Sequence, residues 1–256
     1  MISRLKYPIY DGKRVWDGAC ITVDNGKIVS VTACAPEECG EGFLMPGLID
    51  AHTHMETMIQ VESMLKNGIS ATCDVQGSQT LISSSKQLRI VSSAGMIMGM
   101  VMNPGKTVEK FRNAGAQYIK VLLFNPLSIG KPALSGIVKA AHEHNLKVVV
   151  HATQIATVKQ AVLAGADILL HIPMKEEYPP ELAEMIAEKG IAVAPTLVMM
   201  ETFSLSGRNG YRPEHYQNAE KLRISRTLMF MKTKCPENLD SVWIVRPSGN
   251  SAKNPG

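Results

Sequence analysis

No stretch of this chain stays apolar for the roughly 18–20 residues that a membrane helix needs. The longest such run, Ala94 to Met102, spans nine residues and holds two glycines. Cysteine is sparse: Cys20, Cys34, Cys39, Cys73 and Cys235 are an odd number with no CxxC pair. That excludes a disulfide framework and a thiolate zinc site, and predicts free thiols in a reducing compartment. Charge of one sign is short as well, with a net charge of only +4. The surplus sits in the last fifth, where residues 201–256 carry nine basic against five acidic residues, while residues 1–200 carry 18 of each. Those basic residues are scattered without interleaved aromatics, so no nucleic-acid partner is expected. The opening Met-Ile-Ser-Arg-Leu-Lys-Tyr-Pro has no apolar core and no small-residue cleavage site, which predicts no secretory leader. No GxGxxG follows the first strand and no GxxxxGK[ST] occurs, which argues against nucleotide binding. The expectation is a cytoplasmic protein without membrane or nucleic-acid partners.

What remains is a globular profile, 45% hydrophobic and 20% charged over 256 residues. Residues 1–43 read as short strands and turns. Ile21-Thr-Val23 and Lys27 to Val31 flank Asp24-Asn-Gly26, and Asn-Gly supplies the positive φ angles of a tight hairpin. From residue 44 the rhythm changes. Strand-like runs at Phe43–Ile49, Ala71–Val75, Met96–Met102, Tyr118–Phe124, Lys147–Val150, Ile168–Leu170 and Ile191–Ala194 alternate with amphipathic segments. The latter are Glu56–Lys66, Ser85–Ser93, Thr107–Asn113, Leu134–His144, Ala156–Leu163 and Pro180–Lys189. Near-continuous apolar strands alternating with helices predict an α/β fold with a parallel sheet covered on both faces. Seven such units in series favour a (β/α)8-type TIM barrel over a doubly wound sheet. The Met-rich run Met96–Met102 reads as a buried strand. After Thr196 the pattern decays: Pro213–Met231 reads as one helix, Val242–Val245 as a short apolar stretch, and no clear eighth barrel strand follows. The predicted division is a partial β-sandwich segment at 1–43, the barrel at 44–200 and a divergent segment at 201–256.

The richest chemistry lies in Phe43-Leu-Met-Pro-Gly-Leu-Ile-Asp-Ala-His-Thr-His54. On a strand, residues two apart face the same way, so His52 and His54 can reach one metal ion. An isolated HxH pair is more often two polar residues opening a loop; the Pro-Gly-Leu-Ile-Asp-Ala lead-in reverses that preference. His142 and His144 share the spacing but lie in a helical pattern, where residues two apart diverge, and read as a solvated face. Three more polar residues interrupt or end apolar strands: Lys120 in Tyr118-Ile-Lys-Val121, His151 after Val148-Val-Val150, and His171 after Ile168-Leu-Leu170. A buried lysine needs a partner, a depressed pKa or a covalent change of charge, unless it snorkels to the rim. Four histidines and a lysine at the C-terminal mouth of a barrel suit one or two divalent ions such as zinc, and hydrolysis by a metal-activated water.

This constellation resembles the amidohydrolase superfamily, in particular its imidazolonepropionase-like and dipeptidase-like members, over residues 7–200. The segment Ile9-Tyr-Asp-Gly12 resembles the start of that family's small β-sandwich. The resemblance implies that His52 and His54 bind one metal and that His151 and His171 bind a second. It also implies that Lys120, carboxylated by CO₂ to a carbamate, bridges them. It implies a small-molecule substrate with a C–N bond, in a cyclic amide or dipeptide, or else a lactone. The family's last barrel strand carries a metal-binding, proton-shuttling aspartate, which is not found here. Asp240 precedes its apolar stretch and does not take that role. The chain reads as truncated or divergent beyond about residue 200, without room for the strands that close the family's β-sandwich after the barrel. An unfilled barrel position leaves strand edges for a homo-oligomer, another partner or the tail to cover. Three readings therefore stay open: a metal-dependent hydrolase, a catalytically impaired metal-binding remnant, and a purely structural barrel.

Overall fold

A computed structural model describes residues 2–77, 79–85, 87–173, 175–176, 179–207, 210–215 and the strand at 242–245. Its contacts divide the chain into two compact units. One comprises residues up to Ile49, Val61–Ala71 and the strand at Val242–Val245; the other comprises Asp50–Gln60 and the chain from Thr72.

The first unit is built on β1 (Ile2–Tyr10), β2 (Val15–Asp24), β3 (Lys27–Ala33), β4 (Phe43–Pro46) and β12 (Val242–Val245), in the sheet order β12-β4-β1-β2-β3. The β2–β3 hairpin turns at Asn25 and Gly26, with φ of 48° and 78° as the Asn-Gly pair requires. One face buries Ile9, Ala19, Ile21 and Leu44 together with the partly buried Leu5, Tyr7, Trp16 and Val23, and Leu5-Tyr7-Ile9 and Ala19-Ile21-Val23 follow the two-residue period of a strand. β12 corrects one expectation. The stretch pairs antiparallel with β4, Val242 against Pro46 and Val245 against Phe43, so a late strand does return to the first sheet. The helix expected at Pro213–Met231 lies, beyond His215, outside the described residues.

β5 (Leu48–Thr53), α1 (Met58–Lys66) and β6 (Ile69–Asp74) lead into the second unit, and β5, β6 and β7 (Arg89–Ser92) form a sheet in that order. The next units are α3 (Pro104–Asn113), β8 (Ile119–Leu122), α4 (Lys131–Glu143), β9 (Val148–His151), α5 (Ile155–Ala164), β10 (Ile168–Leu170), α6 (Pro180–Glu188), β11 (Ala192–Ala194) and α7 (Leu197–Ser206), with the short α2 (Gln79–Ser84) before β7. β8 to β11 pair side by side and parallel throughout. Seven strands thus follow one another in chain order across two sheets, the connectivity of a TIM-barrel-like α/β fold.

Two segments differ from expectation. Ser85–Ser93 reads as a helix but contains β7, whose four residues are too few to show a period against their serine-rich surroundings. Met96–Met102 is not a buried strand. Only Ile97 bridges to Val121, and Met98, Met100 and Met102 are 53%, 86% and 85% exposed. Apolar composition signalled burial there, but Gly95 and Gly99, with φ of 122° and 71°, break the extended backbone.

Side-chain alternation sorts the parallel sheet into two faces. Ile119, Val121, Val148, Val150 and Leu169 join the core packed with α3, α4 and α5. Val149 and Leu170 point the other way, with Val75 and Tyr118. By the same alternation Lys120 and His151 belong to this second face.

Asp167 pins the opposite end of the sheet. Its carboxylate accepts from Val148 N (2.8 Å), Lys147 Nζ (2.7 Å) and His142 Nε2 (2.8 Å). Burial pushes its pKa up, but the Lys147, Val148 and His142 hydrogen bonds outweigh that and hold the carboxyl below its ordinary value. Asp167→Ala leaves the Val148 N–H unpaired, and a loss of about 1–3 kcal/mol in urea unfolding is expected at neutral pH. A depressed folded pKa stabilises above the unfolded value of roughly 4 and loses that contribution as pH falls through the folded one. The gap between wild type and variant therefore closes in acid. His142 and His144 are both exposed, as a solvated face requires; His142 donates to this carboxylate, while His144 caps the helix and faces Arg112 at 3.1 Å.

Candidate active site

His52 lies one residue from the end of β5 and His54 just past it. Asp50 Oδ1 accepts from the His52 backbone N–H at 3.0 Å, and Gln60 Nε2 donates to the His54 carbonyl at 3.2 Å, fixing the turn between them. Their Nε2 atoms stand 3.4 Å apart. His151 ends β9, and His171 follows β10. Ring centroids are 4.8 Å apart for His52 and His171, and 4.6 Å for His151 and His171. Phe124 lies edge-on to His151 at 5.4 Å. The structure thus brings all four histidines into one ring cluster.

His171 reaches the cluster by a backbone anomaly. On a continued strand it would share the face of Leu169, toward the helices. Instead its φ is +70°, in the left-handed region that non-glycine residues seldom adopt, and this breaks the alternation. Thr196, at the end of the neighbouring β11 segment, also has positive φ, at +52°. Strained backbone of this kind concentrates at functional sites.

The hydrogen bonds assign two tautomers. Thr196 Oγ1 donates its one proton to Pro195 O (2.8 Å), so it accepts from His171 Nδ1–H (2.7 Å). Gln76 Oε1 is only an acceptor, so His54 Nδ1–H donates to it at 3.2 Å. In a neutral ring that tautomer leaves Nε2 bare. His52 Nδ1 is buried and has no hydrogen-bond partner among the described residues.

The electrostatics favour neutral rings. Burial, and then the charges of Lys120 and the other histidines, lower His52 to about 3 and His151 to about 4. Burial, then His151 and His52, lower His171 to about 2. Lys120, only 2% exposed, is lowered by burial to about 7, and among the described residues no carboxylate pairs with it. Neutral imidazoles and a near-neutral amine are the protonation states that metal binding and reaction with CO₂ require.

The donor set fits a divalent ion. Two nitrogens each about 2.0–2.1 Å from one tetrahedral ion lie about 3.3–3.4 Å apart, which is the spacing of the His52 and His54 Nε2 atoms. Among the described residues, no group of three or more His, Cys, Asp and Glu side chains is already placed to hold a metal.

Sequence reasoning missed three supporting residues. Asp74, fully buried at the end of β6, accepts from the backbone N–H groups of Met55, Gln76 and Gly77. As a polar residue closing an apolar strand, it carried the signal that marked His151 and His171. Gln76 and Thr196 carried none, because their roles depend on contacts between distant segments.

The family model for the amidohydrolase family matches residues 43–231. No curated protein matches by sequence. Among solved structures, a Xaa-Pro dipeptidase with bound methionine in its active site has a TM-score of 0.68 at 18% identity, over 86% of this chain and 73% of that one. A prolidase complexed with N-methylphosphonate-L-proline gives 0.65 at 19% identity, over 87% and 73%. An ochratoxinase from A. niger gives 0.63 at 19%, over 86% and 71%. These likenesses show a shared fold, and among the described residues no helix is long and apolar enough to cross a membrane. The match over residues 43–231 covers most of the chain, which therefore belongs to the amidohydrolase family of hydrolases.

Proposed function

We propose that this chain is a metal-dependent hydrolase of C–N bonds, in dipeptides or cyclic amides, with lactones as the ester counterpart. His52, His54, His151 and His171 would hold one or two divalent ions, best zinc, and Lys120 would join them as its carbamate. The single observation that carries this reading is the pair of Nε2 atoms 3.4 Å apart. A bound divalent ion supplies Lewis acidity toward the scissile carbonyl and toward water.

The chain's own residues do the rest. Asp50 and Gln60 hold the β5 terminus, so His52 and His54 present Nε2 together. Gln76 and Thr196 accept hydrogen bonds from the Nδ1–H groups of His54 and His171 and so favour the ligating tautomers. Phe124 packs against His151, with ring centroids 5.4 Å apart and planes inclined at 62°. A carbamate on Lys120 would replace a buried cation with an anion facing cations, which removes the cost of burying an ammonium. Partners that orient ligating histidines are worth about 10–100-fold in metal affinity. Thr196→Val keeps the β-branched shape but loses the acceptor for His171. We expect zinc affinity to fall by about that factor in a competition titration with a chelating dye.

The test is turnover of a panel containing Xaa-Pro and other dipeptides, hydantoin-like rings and lactones, with zinc supplied. Xaa-Pro substrates come first because two similar structures are a Xaa-Pro dipeptidase and a prolidase. Hydrolysis lost on chelation and restored by zinc supports the enzyme. Bound zinc without turnover supports the impaired remnant instead. That second reading rests on β12: the last described apolar strand pairs with β4, not beside β11 where the family's aspartate-bearing strand belongs. A protein without stoichiometric metal would leave only a structural barrel.

A further inference from the structure

We infer that Cys34 and Cys39 form a reversible dithiol–disulfide site, separate from the histidine cluster. Their Sγ atoms lie 3.9 Å apart, the separation of two unbonded sulfurs in contact, and both side chains are half-buried. The segment between them is a single 3-10 turn, Pro36–Glu38, introduced by proline and closed by the Cys39 N–H on Pro36 O at 3.0 Å. Both ends are held. Cys34 N donates to Gly18 O at 3.2 Å, and Gly40 N donates to Lys6 O at 2.9 Å. Lys6 is also ion-paired with Glu38.

Gly18 makes room for this turn. A Cβ there would meet Cys34 O at 2.5 Å, Pro36 N at 3.2 Å and Cys39 Sγ at 3.2 Å. The backbone thus prepays the chain ordering that bringing two cysteines together normally demands. A bond of about 2.05 Å would roughly halve the 3.9 Å between the sulfurs. Burial, and then the Cys39 thiol, raises the Cys34 pKa, so Cys34 rests protonated and the pair persists as a dithiol until an oxidant arrives. The other described cysteines, Cys20 and Cys73, form no disulfide among the described residues.

The oxidant class is a small disulfide such as glutathione disulfide. One thiolate of the pair attacks its S–S bond, forms a mixed disulfide and expels one glutathione thiolate. The second cysteine loses its proton and attacks the mixed disulfide, and a second glutathione leaves. In balance, the protein dithiol and one glutathione disulfide become one intrachain disulfide and two glutathione thiols. The closed bridge would tether the end of β3 to the segment entering β4.

Trypsin isolates the pair, because the peptide Ile28–Lys66 contains Cys34 and Cys39 and no other cysteine. The folded protein is incubated with glutathione disulfide, quenched with iodoacetamide, digested and weighed. The expected result is a peptide Ile28–Lys66 lighter by two hydrogens and unalkylated, while the peptides bearing Cys20 and Cys73 are alkylated. Dithiothreitol should restore two alkylatable thiols. In Cys34→Ser, and separately in Cys39→Ser, the surviving cysteine should stop as a glutathione adduct. A peptide Ile28–Lys66 that remains doubly alkylated, or that carries glutathione in the unsubstituted protein, would overturn the inference.

Discussion

Replacing His52 and His54 together with asparagine is expected to reduce bound zinc from one or two ions per chain to none, and to eliminate any zinc-dependent hydrolysis. Their Nε2 atoms share one approach, at 3.4 Å. His151 and His171 approach ring against ring instead, with centroids 4.6 Å apart. Asparagine keeps a polar side chain at a partly exposed position and offers no imidazole nitrogen, so fold and metal loss separate. Elemental analysis after dialysis against a weak chelator reads the stoichiometry, and far-UV circular dichroism checks the fold. Retained stoichiometric zinc in a folded double variant would show that the ion lies elsewhere.

Lys120→Met is expected to act in opposite directions on stability and activity. Methionine matches the lysine stem and removes an amine whose pKa burial lowers from 10.5 to about 7. A lowered lysine pKa means that, between about 7 and 10.5, the unfolded chain binds a proton that the folded chain does not. Stability of the metal-free protein therefore rises with pH across that window, and the burial penalty is in full force below it. The variant lacks the penalty, so its metal-free form should be more stable at pH 7 by a few kcal/mol, at about 1.4 kcal/mol per pKa unit. Its stability should also rise less between pH 7 and 10. Hydrolysis should fall to background, because methionine forms no carbamate. Urea unfolding at three pH values, beside turnover, checks both halves. A variant less stable at pH 7 would mean that Lys120 is compensated by a partner.

The legible parts of the molecule were those written in local pattern. β10 and the β2–β3 hairpin could be placed from apolar runs and an Asn-Gly turn, and α4 and α6 from helical periodicity ended by a turn. The two HxH pairs separated correctly: His52 and His54 meet across a strand end, whereas His142 and His144 diverge to Asp167 and Arg112. What failed was where composition stood in for geometry. The methionine run looked buried because it is apolar, yet left-handed glycines carry it to the surface. Arg89–Ser92 looked helical because four residues carry no period.

His171 is the instructive case. Its position after an apolar strand marked it as a site residue, but strict alternation would send it toward the helices. Only its φ of +70° brings it to His52 and His151, and no residue in the sequence announces that. Thr196 was invisible for a related reason. Its role as acceptor for His171 joins residues 25 apart in the chain.

Zinc K-edge X-ray absorption on the zinc-loaded chain tests the central claim, that imidazoles from the ends of β5, β9 and β10 gather around one or two bound cations. The account predicts a first shell of nitrogen and oxygen at about 2.0–2.1 Å with the outer-shell scattering of several imidazoles. A shell dominated by sulfur at about 2.3 Å, or failure to load stoichiometric zinc at all, would contradict it.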